Sequence, residues 1–99
     1  MKISGANVSA AETAARLYQN QPNPFSSETV IRCSLPESVA QATIYVYDMQ
    51  GKQIKSVKVS GRGETSATIS GSELEAGMYI YALIADGREI DSKRMILTK

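Results

Sequence analysis

Ninety-nine residues, 42% of them hydrophobic, suffice for one domain with one compact core and not for two. Eleven basic and ten acidic residues leave a formal net charge of +1, too even a balance to draw the chain to nucleic acid or an anionic membrane. With no histidine and a single cysteine, the chain lacks the commonest general base and metal ligand, any internal disulfide and any zinc or redox pair, so no catalytic residue, metal or cofactor is expected.

Residues 1–16, "MKISGANVSAAETAAR", differ in character from the rest of the chain. They lack the apolar stretch of a signal peptide, and no run in the chain approaches the roughly 20 apolar residues that span a bilayer. If the domain is exported, its signal lies elsewhere. Ser9 and Glu12 have capping-box spacing among helix-favouring alanines, yet so short a helix is marginal in water. The triplet at Asn7 matches a glycosylation sequon, a pattern frequent by chance. Residues 1–16 therefore read as a linker or the tail of an upstream region, partly helical or disordered, and residues 17–99 as the folded domain.

From Leu17 the pattern changes to short β-rich runs between turn residues. A lead-in, "RLYQN", precedes "PNPF" at 22–25. Pro22 and Pro24, flanking Asn23, fix two φ angles and remove two backbone donors, so the tetrapeptide is neither helix interior nor central strand. A rigid, polyproline-like entry is expected, with Phe25, the only phenylalanine, pinning it to the core. Six runs come next: "TVIRCSL", "ATIYVYDM", "QIKSVKVS", "TSATIS", "MYIYALIA" and "EIDSKRMIL". Gln50-Gly51 and Asp86-Gly87 supply hairpin turns, where glycine takes a positive φ. "SGRGE" at 60–64 matches no phosphate-loop pattern and reads as a strand connection. The run at 78–85 is apolar on both faces and should be central, whereas Lys52, Lys55 and Lys58 mark a protected edge. Alternation places Ile31, Cys33, Leu35, Ile44, Val46, Ile69, Leu74, Tyr79, Tyr81 and Leu83 in the core, with Cys33 a small buried hydrophobe rather than a reactive thiol. Glu73, Glu75, Asp86, Glu89 and Asp91 sit beside turn residues or on polar strand faces and read as solvated.

"LEAGMY" at 74–79 sets a leucine and a glycine ahead of a tyrosine that opens a hydrophobic strand, close to the arrangement of a tyrosine corner. Tyr79 should then pack inward and bond back to the turn. The expected fold is all-β, an immunoglobulin-like antiparallel β-sandwich of about seven strands.

Taken together, "LYQNQPNPF", "TVIRCSLP", "ATIYVYDMQGKQI", "LEAGMYIYALIADG" and the terminal "KRMILTK" resemble the C-terminal sorting domains of type IX secretion cargo in the Bacteroidetes. The resemblance covers residues 17–99. It implies a non-enzymatic domain that carries an upstream cargo in the same chain from the periplasm to the cell surface. The implied partners are an outer-membrane translocon and a surface sortase, with no nucleic acid and no small-molecule substrate. The family's PxP motif maps to Pro22, Asn23 and Pro24, followed by Phe25; its GxY motif maps to Gly77, Met78 and Tyr79; its basic C-terminal motif maps to Lys93, Arg94 and Lys99. Similar domains also end fibre-like surface proteins, so a structural or adhesive cap is the alternative function. A carbohydrate-binding sandwich is a third possibility, resting on the five tyrosines, but Tyr45, Tyr47, Tyr79 and Tyr81 have strand spacing and read as core or strand-face packing.

Overall fold

The computed structural model describes residues 14–99. It contains β1 (Arg16–Leu17), β2 (Glu28–Leu35), β3 (Ala42–Tyr47), β4 (Gln53–Lys58), β5 (Gly63–Ser70), β6 (Gly77–Ala85) and β7 (Arg88–Leu97), with a 3₁₀ turn at Gly71–Glu73 between β5 and β6. Two antiparallel sheets, ordered β1-β2-β5 and β4-β3-β6-β7, form the expected immunoglobulin-like sandwich. The helix-capping pattern at Ser9 and Glu12 and the sequon at Asn7 lie outside the described residues.

Period-two alternation builds the core. β2 contributes Ile31, Cys33 and Leu35, β3 contributes Ala42, Ile44 and Val46, and β6 contributes Tyr79, Tyr81 and Leu83, facing Ala67 and Ile69 of β5 or Met95 and Leu97 of β7. All ten residues expected in the core are buried. β6 is paired on both sides, with β3 and β7, and so is central in its sheet, as expected. The β6–β7 turn holds Asp86 at φ 51° and Gly87 at φ 81°, two successive positive values that match the right-handed twist of a two-residue hairpin. β4 is an edge strand, in agreement with its lysines, and Lys55 reaches Glu73 at 3.1 Å.

The proline segment departs from the expected rigid, polyproline-like entry in its backbone course. The Gln21–Pro22 and Asn23–Pro24 bonds are cis, and residues 22–24 form a bend between two isolated bridges, Gln21 to Val30 of β2 and Phe25 to Leu97 of β7. The reason lies in the layers. The chain must leave one sheet and reach the other, roughly 10 Å away, whereas an extended segment would continue along a single sheet. Phe25 does pin this crossing, being only 2% exposed.

Candidate functional site

Residues 18–25 close the seam between the two sheets along β2 and β7. The Tyr81 hydroxyl, fully buried, donates to the Tyr18 carbonyl and accepts from the Asn20 amide, both at 2.8 Å. Asn20 is 1% exposed, and its side-chain amide donates to the Pro22 carbonyl at 3.1 Å and to Thr29 Oγ1 at 3.0 Å. Thr29 Oγ1 donates in turn to the Pro22 carbonyl at 2.8 Å, so two buried polar side chains satisfy each other around the first proline. Gln19 Nε2 donates to the Arg94 carbonyl of β7 at 2.6 Å. Farther along, Asn23 Oδ1 accepts from the Ile96 amide at 3.0 Å, the Phe25 amide donates to the Ile96 carbonyl at 2.9 Å, and the Thr98 amide donates to the Phe25 carbonyl at 2.8 Å. Backbone groups on the outer edge of the C-terminal strand are thus capped by the proline segment.

The glycine–tyrosine motif arrives at the same end from the other side of β7. Gly77 pairs with Leu97, Met78 with Ile96 and Tyr79 with Met95. The Tyr79 hydroxyl donates to the Glu75 carbonyl four residues back, the tyrosine-corner bond expected from the sequence. Lys99 Nζ donates to the Leu74 carbonyl and ties the chain end to that corner. Gly71 lies beneath: a Cβ there would stand 2.9 Å from Leu97 Cδ1 and 3.3 Å from the Ser27 carbonyl, to which the Gly71 amide donates.

Pro22, Asn23, Pro24, Phe25, Gly77, Tyr79 and Lys99, separated by up to 77 positions in sequence, therefore meet around the C-terminal end of β7. Lys93 and Arg94 do not join them. They sit midway along β7, opposite Tyr81 and Ile80, with Lys93 3.7 Å from Asp91 and Arg94 exposed without a carboxylate partner among the described residues. Arg16 pairs with Ser34 near the far end of β2, so the chain enters the domain at the end opposite this cluster.

Glu75 and Glu89 are exposed, while Asp86 takes a structural part, its carboxylate accepting from the Ala40 and Gln41 amides and holding the β2–β3 loop against the β6–β7 turn. Burial pushes the Cys33 thiol above its usual range, reinforced by the Glu64 charge and opposed by Arg62, which disfavours the thiolate a nucleophile needs. Burial likewise pushes Tyr81 up to about 12, against the opposing Asn20 amide bond and with the Asp91 charge adding to it. Sequence reasoning missed Asn20, Thr29 and Gly71. A polar residue beside a turn and a glycine ahead of "SELEAG" look like ordinary loop chemistry, and only their partners across the fold reveal otherwise.

A family model described as a secretion system C-terminal sorting domain matches residues 19–98. No curated protein sequence gives a significant match. Among solved structures, the BSP domain of a biofilm-associated protein superposes with a TM-score of 0.60 at 17% identity, covering 84% of this chain and 15% of that one. The alkylpurine DNA glycosylase AlkC of Pseudomonas fluorescens, bound to DNA containing an abasic-site analogue, superposes with a TM-score of 0.54 at 9% identity over 88% of this chain and 31% of its own. The chain thus spans a minor part of either protein, and at these identities the likeness is one of fold.

Proposed function

The chain belongs to the family of C-terminal sorting domains of the type IX secretion system, and from that premise we propose that it is the address by which an upstream cargo in the same polypeptide crosses the outer membrane. Domains of this family mark proteins exported to the outer-membrane surface or the extracellular space. In this reading the domain catalyses nothing itself. Its partners are the outer-membrane translocon and the sortase that releases cargo, and residues 1–16 connect cargo to domain.

The observation that carries the proposal is the convergence of the proline motif, the glycine–tyrosine motif and Lys99 around the end of β7, at the opposite end of the sandwich from the chain's entry at Arg16. A recognition end remote from the attachment point lets the machinery hold the domain without meeting the cargo. The test is a reporter fused ahead of residues 1–99 in a host with type IX secretion. The fusion should reach the cell surface. Replacing Lys93, Arg94 and Lys99 by glutamine should leave it in the periplasm while the melting temperature stays within a few degrees of the parent. Retention of the unmodified fusion would refute the sorting role and leave the fibre cap, which predicts no export from either protein.

A further inference from the structure

The two outward faces of the sandwich differ in a way that folding alone does not require. Facing residues of paired strands share a face, so the register identifies each outer surface. On the β1-β2-β5 sheet, Arg32 opposes Ser66 and lies over the Tyr18 ring, Ser34 opposes Glu64, and Thr68 opposes half-buried Val30: a mainly polar face. On the other sheet, Tyr47 opposes Ile80, Tyr45 opposes Ala82, Thr43 opposes Ile84 and Met78 opposes Ile96. The Tyr45 and Tyr47 rings lie side by side at 6.4 Å, and Met78 is 40% exposed. Three charges frame this apolar field: Arg94, directly opposite Ile80, Lys58, opposite Thr43, and the carboxylate of Glu89, opposite Ile84 at the hairpin end of the sheet. None of them takes part in an ion pair among the described residues.

We propose that the outer face of the β4-β3-β6-β7 sheet is a docking surface for a folded protein partner that presents aliphatic side chains around a carboxylate, the carboxylate meeting Arg94. Tyrosine, methionine and arginine are the residue types enriched at the buried centre of protein interfaces, and here they share one sheet face. An unpaired guanidinium beside an apolar patch calls for an acidic partner group, and its fork geometry suits a carboxylate. Size argues against a second copy of this chain. Four strands paired over about six residues cover about 400 Å² from strand spacing and rise, half of what each partner contributes to a standard stable interface. A surface of that extent suits a contact made and released during passage. That the partner belongs to the export machinery rests on the sorting reading; the chemistry of the face does not.

The test uses the reporter fusion with the full chain. Met78→Lys combined with Tyr47→Lys, and separately Arg94→Glu, should lower the surface-exposed fraction at least tenfold with melting temperatures near the parent. Ser66→Lys combined with Thr68→Lys, on the polar face, should export normally. If the double lysine variant fails to fold, the exposed Arg94→Glu change alone decides the matter. Normal export of Arg94→Glu, or equal loss from the polar-face variant, overturns the inference and leaves the sorting reading standing. Retention of the unmodified fusion overturns both. Sedimentation of the chain at about 0.1 mM should show a monomer; a dimer dispersed by Met78→Lys with Tyr47→Lys would assign the face to a second copy and also overturn the proposal.

Discussion

Replacing Tyr81 by phenylalanine removes one oxygen from the seam and leaves its surroundings intact. That oxygen donates to the Tyr18 carbonyl and accepts from the Asn20 amide, each at 2.8 Å, and Asn20 is 1% exposed. Without the hydroxyl the buried Asn20 amide loses its acceptor, and a buried unsatisfied donor costs about 1–3 kcal/mol, with a smaller loss at the half-buried Tyr18 carbonyl. Tyr81→Phe should therefore cost about 2–4 kcal/mol, a large part of a small domain's typical total of about 5–15 kcal/mol. Tyr79→Phe is the matched control. It deletes the same atom, but the carbonyl it frees belongs to exposed Glu75 and can be hydrated, so its cost should stay at about 0.5–1.5 kcal/mol. Equilibrium urea unfolding of the parent and both variants, with slopes checked for constancy, measures the difference. Equal costs within about 0.5 kcal/mol would refute the claim that the Tyr81 hydroxyl bridges the sheets in a dry seam.

The same hydroxyl gives the fold an alkaline limit. An unfolded tyrosine ionises near pH 10, whereas the native side chain, pushed up to about 12, keeps its proton, so stability should fall as pH rises from about 10 to about 12 at up to about 1.4 kcal/mol per unit. The raised Cys33 thiol acts in the same direction, and Tyr81→Phe should flatten the profile but not abolish it; identical slopes for parent and variant between pH 9 and 12 would contradict this assignment. Gly71→Ala drives a methyl against Leu97 and the Ser27 carbonyl and should cost about 1–3 kcal/mol by thermal denaturation, whereas a neutral result would mean that β7 shifts freely at its end. Phe25→Ala removes the anchor between the proline segment and Leu97 and should cost about 3–5 kcal/mol, with faster amide exchange at Thr98, whose donor bond goes to the Phe25 carbonyl; unchanged exchange there would show the bridge to be dispensable.

Features that depend on near neighbours along the chain are legible in the residues themselves. Alternation fixes which face of each strand is apolar, so Ile31, Cys33 and Leu35 could be placed in the core without knowing what they meet there. Asp86-Gly87 closes a hairpin by its own backbone preferences, and Tyr79 bonds to a carbonyl four residues away, a distance the turn itself sets. The seam and the cluster, by contrast, arise only when distant segments pack. Asn20 and Tyr81 stand 61 residues apart, and neither type announces its partner. Gly71 matters because Leu97 passes over it. The proline segment bends because β7 lies in the other layer, and the basic motif divides because Lys93 and Arg94 sit partway up the strand, well short of Lys99 at its end. The apolar run at 78–85 was legible in the sequence, but a buried strand with partners on both faces and a central strand with one face open have the same composition. Which of the two it is depends on whether a third layer covers the sheet, and that is settled by how the whole chain packs and not by any stretch of it.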